Sequence, residues 1–219
     1  MAEGTVCLSG LYDFVFKHRG DDAALQINGT TQLGREYCKI CKRLTAPVPS
    51  AQGFYLWGQY NDKRFWTNIY LGKAGLGKSA NLRSRLCEEL KDERAFAWRA
   101  VYTSDELSKI RERMHGPKYV ANWERAAKKV LTTHIIWVSM NDKSNADVLR
   151  IEEDLIEALN PIANLRRTTP PPDLKKDATV VFDEFREQIH HGRSCPTCGN
   201  RLAKLALACS AAKLQPSPA

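Results

Sequence analysis

The sequence predicts an α+β fold, a small three-stranded antiparallel sheet flanked by helices. Three observations predict it. Residues 53–60 (GFYLWGQY) and 65–71 (FWTNIYL) are aromatic-rich strand candidates joined by a turn at Asn61-Asp62-Lys63-Arg64, which reads as a hairpin. Residues 134–140 (HIIWVSM) read as a third, buried strand. Residues 145–159 carry Val148, Ile151, Leu155 and Leu159 as one apolar stripe, the pattern of an amphipathic helix.

The elements follow in order. Residues 1–50 form an N-terminal flanking segment, with a turn signal at Asn28-Gly29. It closes on Ala46-Pro47-Val48-Pro49-Ser50, a linker, since each proline disfavours helix at the preceding residue. A central domain spans 51–167. After its hairpin comes a glycine-rich loop, then a helix that Ser79 can cap and that runs to about Lys91. Leu82, Leu86 and Leu90 share one face of that helix, and Arg83 and Arg85 lie to other sides. Thr103-Ser104-Asp105-Glu106 is a capping box opening a helix toward Met114, and a further helix covers 118–131. Asn160-Pro161 ends the helix over 145–159. The C-terminal segment, 168–219, begins with a proline-rich linker (TTPPP) and ends in a tail expected to be disordered from about Gln215.

Composition narrows the class of function. The chain has 219 residues, 43% of them hydrophobic, enough for a sizeable core. No apolar run approaches the ~20 residues of a membrane span. The N-terminus lacks the basic flank and apolar core of a secretory signal, so a cytoplasmic protein is expected. The formal charge of +8 favours a polyanionic partner, because Lys and Arg bound to phosphates release condensed counterions.

Seven cysteines in a reducing compartment are expected as thiols or metal ligands. Cys195-Pro-Thr-Cys198-Gly-Asn resembles a zinc knuckle, and Cys38-Lys-Ile-Cys41 could complete a four-thiolate zinc site. His190, His191 and Cys209 are alternative ligands. The competing reading is unliganded thiol, with Cys38 and Cys41 on a helix. Cys7, Cys87 and Cys209 read as small buried hydrophobes.

Two motifs overlap near residue 72. GKAGLGKS (Gly72 to Ser79) fits G-x-x-x-x-G-K-[ST], the phosphate-cradling P-loop. There, backbone N–H groups would hold phosphates, Lys78 would reach the terminal ones and Ser79 would hold magnesium. Asp142, after the strand at 134–140, would be the second acidic element. That reading makes the chain a nucleotide hydrolase or kinase. Against it, a P-loop domain is a parallel sheet of alternating strands and helices, whereas here a hairpin precedes the loop.

The second motif is the pair Gly53-Phe54-Tyr55 and Tyr70-Leu71-Gly72, followed by Lys73-Ala74. Leu82-Arg83-Ser84-Arg85-Leu86 follows as an arginine-bearing helix. Glu152 stands nine residues before Pro161 and twelve before Asn164. In this order, over about 53–166, the elements resemble the GIY-YIG endonuclease family. The chain departs from the family's commonest form by a longer hairpin connection and by the insertion Gly75-Leu76-Gly77-Lys78-Ser79, which creates the P-loop look.

The resemblance implies a DNA endonuclease. Tyr55 and Tyr70 would sit together at the scissile phosphate, one of them activating water. Lys73 and a metal would lower that tyrosine's pKa from its usual value of about 10. Arg85, with Arg83 as the alternative, would stabilise transition-state charge. Glu152 would bind magnesium or manganese, which polarises the phosphate and assists the leaving group. Asn164 would be a supporting polar group. Lys78, Arg83, Arg94, Arg99, Arg166 and Arg167 are candidate DNA-backbone contacts. Cutting both strands would require a homodimer or two sequential cuts. A third reading keeps the fold and the DNA but not the catalysis.

Overall fold

The structure is a computed structural model that describes residues 1–18, 32–61, 63–92, 132–140, 143–164 and 176–193. The helices expected at 103–114 and 118–131, the turn at Asn28-Gly29, Asp142, the second proline linker and the C-terminal tail lie outside those residues, as do Arg94, Arg99, Arg166, Arg167, Cys195, Cys198 and Cys209.

The described elements are β1 (Glu3–Cys7), α1 (Ser9–Lys17), α2 (Gln32–Thr45), β2 (Gly53–Tyr60), β3 (Trp66–Ala74), α3 (Leu82–Asp92), β4 (His134–Ser139), α4 (Asn145–Leu159) and α5 (Lys176–Gly192). The α+β class holds, but the sheet has four strands rather than three. Its order is β1-β4-β2-β3, with every neighbouring pair antiparallel. The additional strand is β1, whose Glu3 pairs with Val138 and whose Cys7 pairs with His134. Its sequence, EGTVC, is short and carries little apolar alternation, so the pairing comes from β4 offering an edge. Cys7, expected as a thiol, is disulfide-bonded.

Alternation along the strands gives the sheet two apolar faces. Tyr55, Trp57, Ile135 and Trp137 face α1, α2 and α3, and bury Leu11, Tyr37, Leu82, Leu86 and Leu90 with them. Phe54, Leu56, Ile136 and Val138 face α4 and α5, and meet Val148, Ile151, Leu155, Val181 and Phe185. A bulge between Trp57 and Gly58 shifts the β2–β3 register. Beyond it, Tyr70 packs with the α1–α3 face while Leu71 packs with the α4–α5 face.

Each flanking helix is anchored by side-chain bonds to backbone. Gln52, fully buried, clamps Lys143 by donating to its carbonyl at 3.2 Å and accepting from its N–H at 2.8 Å. Ser144 then caps α4, its hydroxyl accepting from the Asp147 N–H. At the other end the Asn68 amide donates to the Leu159 carbonyl at 2.6 Å, and Asn160 closes the helix in the left-handed region (φ 48°). The stretch read as a linker at 46–50 is a packed turn. Val48 is fully buried, and the Pro49 and Ala51 carbonyls accept the first N–H groups of α3.

Candidate active site

The pocket lies at the β3 edge of the sheet. It has a volume of about 580 Å³, and its walls include Tyr55, Tyr70, Lys73, Arg85 and Glu152. These five come from four elements, β2, β3, α3 and α4. Tyr70 belongs to one face of the sheet, and Glu152 to a helix on the other. The pocket therefore wraps around the end of edge strand β3.

The glycines of the two tripeptides make this geometry possible. A Cβ on Gly72 would sit 2.4 Å from Cζ of Tyr55, so the Tyr55 ring lies directly over the Gly72 backbone. A Cβ on Gly53 would meet the Val138 carbonyl oxygen at 2.1 Å. Both are close-approach glycines.

Tyr55 is buried, and its hydroxyl donates to the Glu89 carboxylate. The Nε of Arg85 lies 3.3 Å from the same carboxylate, one helical turn away. Burial first, and then the negative charge of Glu89, pushes the Tyr55 pKa well above 10. The hydrogen bond from Arg85 acts in the opposite direction but is outweighed. Arg85 is partly desolvated, which lowers its pKa, but Tyr55 and Glu89 outweigh that and raise it overall. The Tyr55 and Tyr70 rings lie 6.5 Å apart, inclined at 53°. Lys73 is ion-paired with Glu152.

The sequence reading did not single out Glu89. It follows Arg85 by four residues, a spacing that usually marks a solvated helix-surface pair. Here it is 5% exposed. No local signal marks it, since the neighbouring Glu88 is the same residue type and is exposed.

Asn164 stands outside the pocket. Its amide donates to the Leu71 carbonyl at 2.9 Å and accepts from the Leu71 N–H at 2.8 Å. Just before it, the N–H groups of Ile162 and Ala163 donate to the carbonyls of Asn68 and Ile69. Residues 162–164 thus cover the outer edge of β3 up to Leu71 and leave Gly72 onward to the pocket. This gives the Glu152-to-Asn164 spacing a physical meaning. Seven residues of helix, about 10 Å, carry the chain from Glu152 to its end, and the returning segment pins the strand opposite.

The helix start differs from the one expected of the P-loop reading. Helix α3 starts at Leu82, and its cap is Asn81, not Ser79: the Asn81 side chain accepts from the Ser84 N–H at 3.0 Å. The N–H groups of Leu82 and Arg83 are already bonded to Ala51 and Pro49. No donors of that first turn are left for a phosphate cradle. Lys78 is exposed on the inserted loop, and Ser79 contributes to the pocket wall. Arg83 is also exposed, but its Nε donates to the Val48 carbonyl at 2.6 Å. Of the two candidate arginines, Arg85 is the one that lines the pocket.

The donor set suits a hard cation. One carboxylate, Glu152, with Asn145 and Ser79 in the same walls, leaves room for water and phosphate oxygens, the way magnesium is usually held. The zinc expectation fares differently. Cys38 and Cys41 lie on α2, outside any disulfide, and Cys41 is fully buried. Burial, then Cys87 and Cys38, raises its pKa far above the usual thiol range. Cys41 packs within the hydrophobic core, and Cys195 and Cys198, the other thiols of the expected zinc site, lie outside the described residues. Among the described residues no group of three or more His, Cys, Asp or Glu is placed to hold a metal.

No family model, curated protein or solved structure matches this chain. Among the described residues no helix is long and apolar enough to cross a membrane.

Proposed function

We propose that the protein is a magnesium- or manganese-dependent endonuclease of the GIY-YIG type, acting on DNA. The observation that carries the reading is the meeting of Tyr55, Tyr70, Lys73, Arg85 and Glu152, drawn from 98 positions of sequence, in one pocket. Two phenols, two cations and a carboxylate can together supply water orientation, charge stabilisation and a metal ligand for phosphodiester hydrolysis. The net charge of +8 supports a polyanionic substrate.

In this reading the cations Lys73 and Arg85 hold the phosphate and offset the charge that builds on it. Tyr70 and Tyr55 orient the attacking water. Glu152 would hold the metal ion, which when bound would supply charge stabilisation and help to the leaving oxygen. The Lys73–Glu152 pair keeps both side chains in position before substrate arrives. Lys78, exposed on the inserted loop beside the pocket, contacts the DNA backbone.

The test is plasmid nicking in magnesium by the wild type, Glu152→Ala and Lys78→Ala. Wild type should nick, and Glu152→Ala should not. Lys78→Ala should keep the chemistry and bind DNA more weakly, with a salt slope shallower by about one. ATP turnover that disappears in Lys78→Ala would replace this reading with the nucleotide hydrolase. Binding of DNA without cleavage by the wild type would leave a non-catalytic DNA-binding protein.

A further inference from the structure

Glu89 has no role in the reaction just described, yet it lies directly behind the pocket wall, bonded to two of the residues that form it. A carboxylate is rarely this buried without strong partners. It accepts the hydroxyl proton of Tyr55 and lies 3.3 Å from the Arg85 Nε, and both of those groups line the pocket. Tyr55 reaches it from β2, 34 positions earlier.

We propose that Glu89 is the terminal proton acceptor of the hydrolysis, reached through Tyr55 as a relay. The proposal rests on the nuclease reading. With its one proton committed to Glu89, the Tyr55 hydroxyl can meet a water only as an acceptor. As the water oxygen attacks phosphorus, its proton passes to the Tyr55 oxygen, and the proton already on Tyr55 passes to Glu89. The new P–O bond forms while the bond to the leaving oxygen breaks, and the leaving oxygen takes a proton from solvent. Glu89 ends as a neutral acid, Tyr55 ends as a phenol, and the relay runs backward to reset.

Two features support this. Burial and the Glu89 charge both oppose a phenolate at position 55, so Tyr55 acting alone is a poor base, whereas a relay never requires the phenolate. Protonating Glu89 also removes the negative partner of Arg85, leaving that cation to the phosphate as its charge grows. Glu89 acts through Tyr55, so it is a positioning residue with a proton-accepting role. Among the described residues, Tyr55 from β2 and Arg85 from its own helix act on it directly, and Tyr70 from β3 acts on both of those. Helix α2 meets α3 beside it, with Tyr37 at Leu90 and Cys41 near Cys87 and Lys91.

The experiment is single-turnover cleavage of supercoiled plasmid in magnesium across pH 5 to 9, with the full chain. Glu89→Gln can still accept from Tyr55 but cannot take a proton. It should lower the rate on the order of 10²–10³-fold, leave DNA affinity within about threefold, and abolish the loss of rate toward acid that the wild type shows. Glu89→Asp should recover part of the rate and that acid limb. Tyr55→Phe, which leaves the Glu89–Arg85 pair in place, should lose the limb as well and serves if Glu89→Gln does not fold. Wild-type rates in Glu89→Gln, or an acid limb unmoved in both variants, would overturn the relay and leave the nuclease reading standing. A wild type that never cuts would overturn both.

Discussion

The Lys73 ammonium, on the edge strand, is ion-paired with the Glu152 carboxylate on the helix across the pocket mouth. The two side chains are 34% and 18% exposed, so water screens the pair, and such pairs add about 0–1 kcal/mol to stability. Glu152→Ala and Lys73→Ala should therefore keep melting temperatures within a few degrees of wild type. Plasmid nicking should fall on the order of 10³-fold in each, a loss of transition-state charge stabilisation rather than of fold. A calorimetric scan beside the cleavage assay checks both halves.

Gly72→Ala should damage the site while leaving every reacting side chain chemically intact. The new methyl would sit 2.5 Å from the Tyr55 hydroxyl oxygen, so the ring must move. Overpacking of this kind costs about 1–3 kcal/mol, and displacing a catalytic group by about 1 Å lowers rates roughly 10²-fold. DNA affinity, read by fluorescence anisotropy, should change little while the cleavage rate drops.

Asn164→Ala separates a structural role from a chemical one. It strips both Leu71 backbone groups of their partner, which should cost about 1–3 kcal/mol in denaturant unfolding. Asn164→Asp keeps the acceptor and loses the donor, so its cost should be intermediate. A cleavage rate that falls while unfolding stability is unchanged would restore the direct role that the family resemblance implies.

His134 makes stability pH-dependent. Burial, then the charge of Arg64, lowers its pKa to about 4. In the unfolded chain the same imidazole takes a proton near pH 6.5. The unfolded state thus binds more protons between those values, and its contribution is fully present above about pH 6.5. It is lost as pH falls toward 4, by roughly 3 kcal/mol at most. Urea unfolding at pH 7 and pH 4.5 should show the drop, and His134→Phe should remove most of it.

The parts of the site that were legible in the sequence are those written as local patterns. Tyr55, Tyr70 and Lys73 sit on strands with clear aromatic content, and Arg85 sits on a helix whose Leu82–Leu86–Leu90 stripe faces the core, as expected. Glu152 came from the family resemblance, through its spacing to Pro161 and Asn164. What escaped depends on three-dimensional neighbours. Glu89 is buried only because Tyr55 and Arg85 close over it, and nothing local distinguishes it from Glu88. Strand β1 exists because β4 has a free edge, and α3 is capped at Asn81 because the loop before it folds back on Gly77. At Gly72–Ser79 the sequence showed that a hairpin precedes the loop, but not that the first N–H groups of α3 bond to Ala51 and Pro49.

The short return of 162–164 along β3 has a consequence for colloidal behaviour. A bare strand edge is a template onto which another polypeptide can add. Here the backbone of Asn68–Leu71 is sealed by the chain itself. The stretch beyond it carries the charge of Lys73, a residue type that discourages strand addition. Weakening the seal at Asn164 would therefore favour self-association, visible as light scattering in concentrated samples before any loss of secondary structure.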